Sequence, residues 1–357
     1  MVMKMSKIDN VNVESFVPLL APKELTSELP ASEKVNKTVI SSRRTIQEIL
    51  SKRDKRLLVI VGPCSIHDEK STIEYANRLR QLKKKVDDTF FIVMRVYLEK
   101  PRTIVGWKGL INDPFLDGTH DVVEGFRKAR KILLEVNELG VPAGTEFVDP
   151  ITPQYISTLI SWAAIGARTI ESQTHREMVS GLSMPVGLKN STDGTLTSAL
   201  NALEAARTRQ SFLGIDEDGH TCVVNTTGNP WVHIVLRGGS RPNYDPVSID
   251  DTFKQLRARG LPENILVDCS HDNSGKKHKG QPFVWRSVIE QRIEGNKALI
   301  GLMLESSLFE GNQKLGEDLS KLKYGVSITD ECVSWETTES VFLNARDRLL
   351  ESGALED

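Results

Sequence analysis

The feature that most constrains this chain is a repeat. From Leu57 onward, short apolar runs rich in β-branched residues alternate with helix-length stretches, and eight such runs can be counted, at 57–61, 90–96, 141–146, 168–171, 186–189, 233–237, 265–268 and 299–304. Helical spacing fills the gaps, as at 72–85, 122–139, 153–162, 196–207, 249–259 and 284–295. Alternating strand and helix units imply a parallel sheet with right-handed crossovers. Strands that are apolar almost throughout fit a sheet covered on both faces. Eight units favour closure into an α/β (β/α)8 barrel, the TIM barrel, and 357 residues suit that barrel plus extensions. An open doubly wound sheet is the alternative. It usually carries a glycine-rich turn after its first strand, and neither GxGxxG nor GxxxxGK occurs here.

Two regions fall outside the repeat. Residues 1–45 are polar, of mixed charge and punctuated by Pro18, Pro22 and Pro30, which reads as an N-terminal arm with one or two short helices. An amphipathic helix at 41–52 then feeds the barrel, which occupies 46–357. At about 211–227, Asp218-Gly219 sits between two apolar runs, the signature of an inserted β-hairpin. A long loop is expected at 97–121. Insertions on a barrel commonly carry function or regulation.

The formal net charge of -2 gives the whole molecule no strong pull on nucleic acid or acidic membranes. No apolar run approaches the roughly 20 residues of a membrane span, and the first ten residues lack an apolar signal core. Cys64, Cys222, Cys269 and Cys332 are widely spaced, without a CxxC pair, and read as reduced thiols or metal ligands. A cytoplasmic protein with no nucleic-acid or membrane partner is expected.

Active sites of this fold lie at the C-terminal ends of the strands. Those ends lead to Arg95, Lys100, Arg102, Arg168, Lys189 and Arg237, six cations on one rim. Arginine forks match phosphate and carboxylate oxygens two at a time, while lysine acts as a point charge. Anionic substrates are therefore expected, with pairing to structural carboxylates such as Glu171 or Asp268 as the plainer account of any single cation. Cys64, His271 and Glu305 come from the first, seventh and eighth strand ends, which adjoin when a barrel closes, and Asp330 follows the eighth unit. This set permits one divalent metal ion, manganese, iron, cobalt or zinc. His67 and His175 could reach the mouth; His120, His220, His233 and His278 look structural or exposed.

Several long motifs carry a resemblance. They are GPCSIHD (62–68), MRVYLEKPRTIVGWKGLINDP (94–114), TPQY (152–155), IGARTIESQTHREMVSGLSMPVGLKN (165–190), HIVLRGG (233–239), DCSHDNS (268–274), ESSLFEGNQ (305–313) and YGVSITDECVSWE (324–336). Over essentially its whole length the chain resembles the type I 3-deoxy-D-arabino-heptulosonate 7-phosphate (DAHP) synthases, the feedback-regulated form from the aromatic pathway. The resemblance implies condensation of phosphoenolpyruvate with erythrose 4-phosphate. It implies metal ligands at Cys64, His271, Glu305 and Asp330. Phosphoenolpyruvate would be held by Arg95, Lys100, Glu146, Ala167, Arg168, Lys189 and Arg237. Erythrose 4-phosphate would be held by Lys100, Pro101, Arg102, Thr103 and Asp330. An inhibitor pocket for tyrosine or phenylalanine is implied at Phe147, Pro150, Gln154, Leu182, Ser183, Phe212, Gly214 and Val224. Asp9 and Asn10, from the arm of a neighbouring copy, would close it, so a homodimer or homotetramer is implied. The competing readings are an octulosonate synthase acting on a different sugar phosphate, and an amino-acid sensor on an inactive barrel.

Overall fold

A computed structural model describes residues 8–316 and 318–356, so the first seven residues of the arm lie outside the described residues. Eight parallel strands close into a barrel in the order β1, β10, β9, β8, β5, β4, β3, β2. They are β1 (Leu57–Gly62), β2 (Phe90–Arg95), β3 (Ala143–Glu146), β4 (Trp162–Ile165), β5 (Val186–Lys189), β8 (Val232–Leu236), β9 (Ile265–Asp268) and β10 (Leu299–Glu305). Register along β1 shows the closure, with Val61 beside Leu304 on one side and Met94 on the other.

Alternate residues of each strand serve two cores. Leu57, Val59 and Val61 face outward and pack in one cluster with Tyr75 and Leu79 of a covering helix and with Phe90 of β2. Leu58 and Ile60 face inward, with Val93, Trp162, Val235, Leu266 and Met303. This is the period of two expected of a sheet covered on both sides. The barrel floor is closed by α2 (Glu33–Leu50), whose Ile46, Ile49 and Leu50 join the inner cluster. That helix begins eight residues before the predicted 41–52 and runs straight across residue 45. Ser32 starts it by accepting the Val35 N–H, a cap followed at once by Glu33.

Outer helices begin where their caps dictate. Asp68 caps α3 (Glu69–Val86) and Asp121 caps α4 (Val122–Glu138), each side chain accepting a backbone N–H three residues on. Asp245 and Pro246 start α8 (Pro246–Ala258). The remaining helices are α5 (Thr152–Ile156), α6 (Gln173–Gly181), α7 (Thr197–Ala206), α9 (Gln281–Ile293) and α10 (Trp335–Glu351).

One strand expectation is wrong. The fourth strand is Trp162–Ile165, not 168–171, and the predicted helix 153–162 is only α5 with a short 3-10 turn. Ala163 and Ala164 are poor β-formers by propensity, which hides the strand. Burial outweighs that preference, because all four residues are enclosed. Arg168 consequently sits in the turn after β4 rather than within it.

The insertion is an antiparallel hairpin, β6 (Ser211–Ile215) and β7 (Thr221–Asn225), turning at 216–220 with Gly219 at φ 81°. A short helix of the arm, α1 (Pro22–Glu28), docks on this turn. Lys23 N donates to the Glu217 carbonyl at 2.9 Å, and Lys23 Nζ lies 3.3 Å from Asp218. No helix of the described residues is long and apolar enough to cross a membrane.

Candidate active site

The C-terminal ends of the strands surround one cleft in which six cations face three carboxylates, Glu146, Glu305 and Asp330. Most of these charges are buried, and burial is costly unless partners are supplied. Arg95, at the end of β2, donates to Glu305 at 2.9 Å and stacks 3.8 Å above the Tyr97 ring. Burial works against the Arg95 charge, yet the neighbouring Tyr97 and Glu305 raise its pKa above the usual value. Lys189, ending β5, lies 3.3 Å from Asp268 and 3.9 Å from Glu146. Arg237, just past β8, pairs with Asp272. So most of the buried cations do have carboxylates, as the plainer account required. Glu171 takes no part; it is exposed and accepts from Ser198.

Arg168 differs. It is exposed at the cleft rim, and its Nε donates to Thr103 Oγ1 at 2.8 Å. That bond joins the turn after β4 to the Lys100–Thr103 segment. Ala167 and Pro101 also line the cleft. Arg102 does not: it is exposed, with its guanidinium lying against Gly106. At Gly166 a Cβ would come within 2.2 Å of Glu146 Oε1, so any larger residue there would push that carboxylate from its place.

Donor atoms converge at one side of the cleft. Cys64 Sγ and carboxylate oxygens of Glu305 and Asp330 all lie within 4.8 Å of one another. His271 stands at the edge of this group, its Nε2 3.9 Å from Glu305 Oε1. Its Nδ1 is 2.8 Å from Asp268 Oδ2, which leaves Nε2 as the nitrogen facing the cleft. A carboxylate fixing the far nitrogen is the usual support of a metal-binding histidine. His271 also holds φ at 53°, in the left-handed region that residues other than glycine seldom occupy. One thiol, one imidazole and two carboxylates fit a divalent transition ion.

Electrostatics supports this fit. Burial and the nearby Glu305 push the Cys64 thiol up to about 12, and Lys100 only partly offsets them. A divalent cation reverses that balance, because coordination stabilises the thiolate. Lys100 Nζ lies 2.9 Å from Cys64 Sγ and 3.0 Å from Asp330 Oδ2. Burial alone would lower the Lys100 pKa, but Cys64, Asp330 and Glu305 together raise it, so it carries its proton. Lys100 in turn holds the Asp330 carboxyl well below the usual range.

Sequence reasoning missed Tyr97, Asp272 and Lys276. Tyr97 was discoverable, because it stands two residues after Arg95 on the same inward face. Asp272 lies inside the quoted DCSHDNS motif. Lys276 follows a left-handed turn at Gly275 and is brought to the cleft by that turn alone. His175 lies away from the cleft lining, bonded to Ser172 and to the Val148 carbonyl at 2.8 Å.

The expected inhibitor residues fall on four segments. Phe212, Gly214 and Val224 share the half-buried face of the hairpin, where a Cβ on Gly214 would lie 2.9 Å from Val224 and 3.7 Å from Phe212. Leu182 and Ser183 follow α6, and that helix holds the hairpin through Ser180 and Thr226, 2.6 Å apart. Phe147 is fully buried in the outer core, whereas Pro150 is half-buried and Gln154 exposed. Asp9 and Asn10 are exposed on the arm.

Comparison with known proteins follows from this geometry. The chain is 49% identical over 339 residues to the Tyr-sensitive phospho-2-dehydro-3-deoxyheptonate aldolase of Escherichia coli K12, covering 95% of each chain. It is 50% identical over 333 residues to the Phe-sensitive enzyme of the same organism, covering 93% of this chain and 95% of the relative. A solved phospho-2-dehydro-3-deoxyheptonate aldolase from Francisella tularensis SCHU S4 superposes with a TM-score of 0.92 at 42% identity, over 94% of this chain and 98% of that one. The family model for the DAHP synthetase I family matches residues 31–342. With a matching barrel and about half of its residues identical over nearly its whole length, this chain belongs to the DAHP synthetase I family.

Proposed function

We propose that this chain condenses phosphoenolpyruvate with D-erythrose 4-phosphate and water, giving 3-deoxy-D-arabino-heptulosonate 7-phosphate and phosphate, under feedback inhibition by an aromatic amino acid. One observation carries the reading: buried cations and a thiol-bearing donor cluster share a single cleft in a member of this family. Two polyanions repel each other in solution, and a cationic cradle removes that barrier to their meeting.

Arg95, Lys189 and Arg237 hold the phosphate and carboxylate of phosphoenolpyruvate, with Arg168 closing from the rim and Lys100, Glu146 and Ala167 completing the site. Thr103, bonded to Arg168, belongs with Pro101, Arg102 and Asp330 to the aldose phosphate side. Carbon 3 of phosphoenolpyruvate attacks the aldehyde carbon, forming the new carbon–carbon bond. Lys100, protonated and at the junction of both sites, donates a proton to the developing alkoxide. Positive character at carbon 2 is met by water, and phosphate departs with cleavage of its bond to that carbon. Arg168, Lys189 and Arg237 stabilise the charge as it moves to the leaving group. A divalent ion held by Cys64, His271, Glu305 and Asp330 would supply Lewis acidity toward the aldehyde oxygen.

The arm, residues 1–45, and the hairpin serve regulation and assembly into a homodimer or homotetramer. Tyrosine is the inhibitor favoured here, because Pro150 and the small Gly214 resemble the tyrosine-sensitive form; phenylalanine is the second candidate. Glu99 links the two sites. It precedes Lys100, and its carboxylate accepts from the N–H groups of Val148 and Asp149 and from the Thr152 hydroxyl, all beside Phe147 and Pro150.

Phosphate release tests the reading. It should require both substrates, stop on chelation and return with added manganese or zinc. Release without the aldose phosphate, or faster turnover with arabinose 5-phosphate, would overturn it. Titrating the same assay with tyrosine and phenylalanine separates the two inhibitors, and indifference to both removes the pocket.

A further inference from the structure

The floor of the barrel carries a second cleft, remote from the mouth. It lies where the first residues of β1 and β10 meet the ends of α2 and α9. Lys52, Lys55, Arg56, Arg292 and Lys297 line it, with Asp54 as the carboxylate among them. Arg56 is already engaged, bonded to Asp54 and at 3.1 Å to Asp87. Lys55 reaches the Glu356 carbonyl at 3.3 Å.

Arg292 is the informative residue. It is only 9% exposed, and its Nε is enclosed without a hydrogen-bond partner. Its Nη1 has the Asn296 carbonyl at 3.5 Å, at the limit of a bond. Among the described residues no carboxylate pairs with it, and burial is the sole influence on its charge. The C-termini of α2 and α9 each contribute about half a negative charge. Asp54 and Asp87 answer Arg56, Glu263 lies near Lys52, and the two helix ends add about one negative charge, so the remaining positive character of the cleft centres on Arg292 and Lys297. The N-terminal face of this fold normally serves stability. A buried, unpaired guanidinium does the reverse in the absence of a counter-ion.

We propose that this cleft binds a small phosphate-bearing anion. The Arg292 fork takes the oxyanion, Lys52 and Lys297 close over it, and Ile49 and Leu299 offer an apolar wall to whatever short body it carries. The site is independent of the reaction assigned to the mouth.

Equilibrium dialysis of the full-length, metal-loaded protein against radiolabelled inorganic phosphate tests this. Two classes of site per subunit are expected. Lys52→Glu with Lys297→Glu should weaken one class at least tenfold and spare the other, and Arg237→Ala should do the opposite. Arg292→Met should abolish the floor class; because it alters a buried side chain, the exposed lysine pair is the primary test. A single class that vanishes with Arg237→Ala overturns the proposal, as does a second class indifferent to the lysine reversals. So does a double reversal that changes the sedimentation coefficient while phosphate binding stays constant, since the cleft would then face carboxylates of a second copy.

Discussion

The barrel mouth and the inserted hairpin solve opposite problems. At the mouth, Arg95, Lys189, Glu305 and Asp268 are almost wholly enclosed, and each is held by partners from other strands. Along the hairpin no residue is fully buried. One face, with Phe212 and Val224, is half-covered, while Leu213 and Val223 on the other are 83% and 61% exposed. A two-stranded ribbon on its own is marginal in water, so this one depends on α6 and on the arm docked at its turn. Chemistry needs groups that do not move when charge develops. Regulation needs an element whose packing a ligand can still change.

Four measurements test that contrast. Arg168→Ala and Cys64→Ala should each lower turnover by about a thousandfold or more, comparable with removing a main charge-stabilising group. Arg168 is exposed, so its variant should keep the parent's melting temperature. A matching fall in stability would mean that the rim is structural. Next, Asp268→Asn should destabilise the fold by about 3 kcal/mol in urea titrations, because Lys189 and His271 lose their shared partner. It should also weaken metal binding by about ten- to a hundredfold. A neutral result would show that the buried network is dispensable.

Glu99 gives the pH test. Burial raises its carboxyl to about 8, against the opposing hydrogen bonds from Val148 and Thr152. The folded chain therefore keeps this proton where the unfolded chain, titrating near 4.5, has lost it. Its contribution to stability is full below about 4.5 and falls as pH rises toward 8, by on the order of 2–4 kcal/mol. Glu99→Gln should flatten that part of the profile when urea unfolding is compared at pH 5.5 and 8. Parallel profiles for both proteins would refute the assignment. The smallest effect belongs to the hairpin. Gly214→Leu should leave kcat/KM unchanged and reduce sensitivity to the inhibitor at least tenfold, about 1.4 kcal/mol of binding. Loss of activity in that variant would erase the division of labour between the two regions.

The motif-bearing segments could be read in advance because local chemistry dictates them. Seven of the eight strands fall on runs singled out from the sequence, and the hairpin follows from Asp218-Gly219. The fourth strand could not be read this way. In Trp162-Ala-Ala-Ile the two alanines weaken the β preference, and enclosure between β3 and β5 makes it a strand. The convergence of Cys64, Glu305 and Asp330 was inferred from strand order, whereas Lys276 and the Tyr97 ring under Arg95 were not anticipated. Asp268, the partner of Lys189, was among the carboxylates named in advance, whereas Asp272, 35 residues from Arg237, was not.

By itself, the sequence determined the alternation of strands and helices, the residue types gathered at the strand ends and the kinship that their motifs express. These are matters of period, propensity and local spacing, which a linear string contains. Tertiary structure alone decided that α2 plugs the floor, that Glu99 bridges two loops and that Arg292 is enclosed without a counter-charge. The physical reason is that burial and charge pairing depend on which distant segments closure of the barrel brings within a few ångströms, and no local pattern encodes that distance.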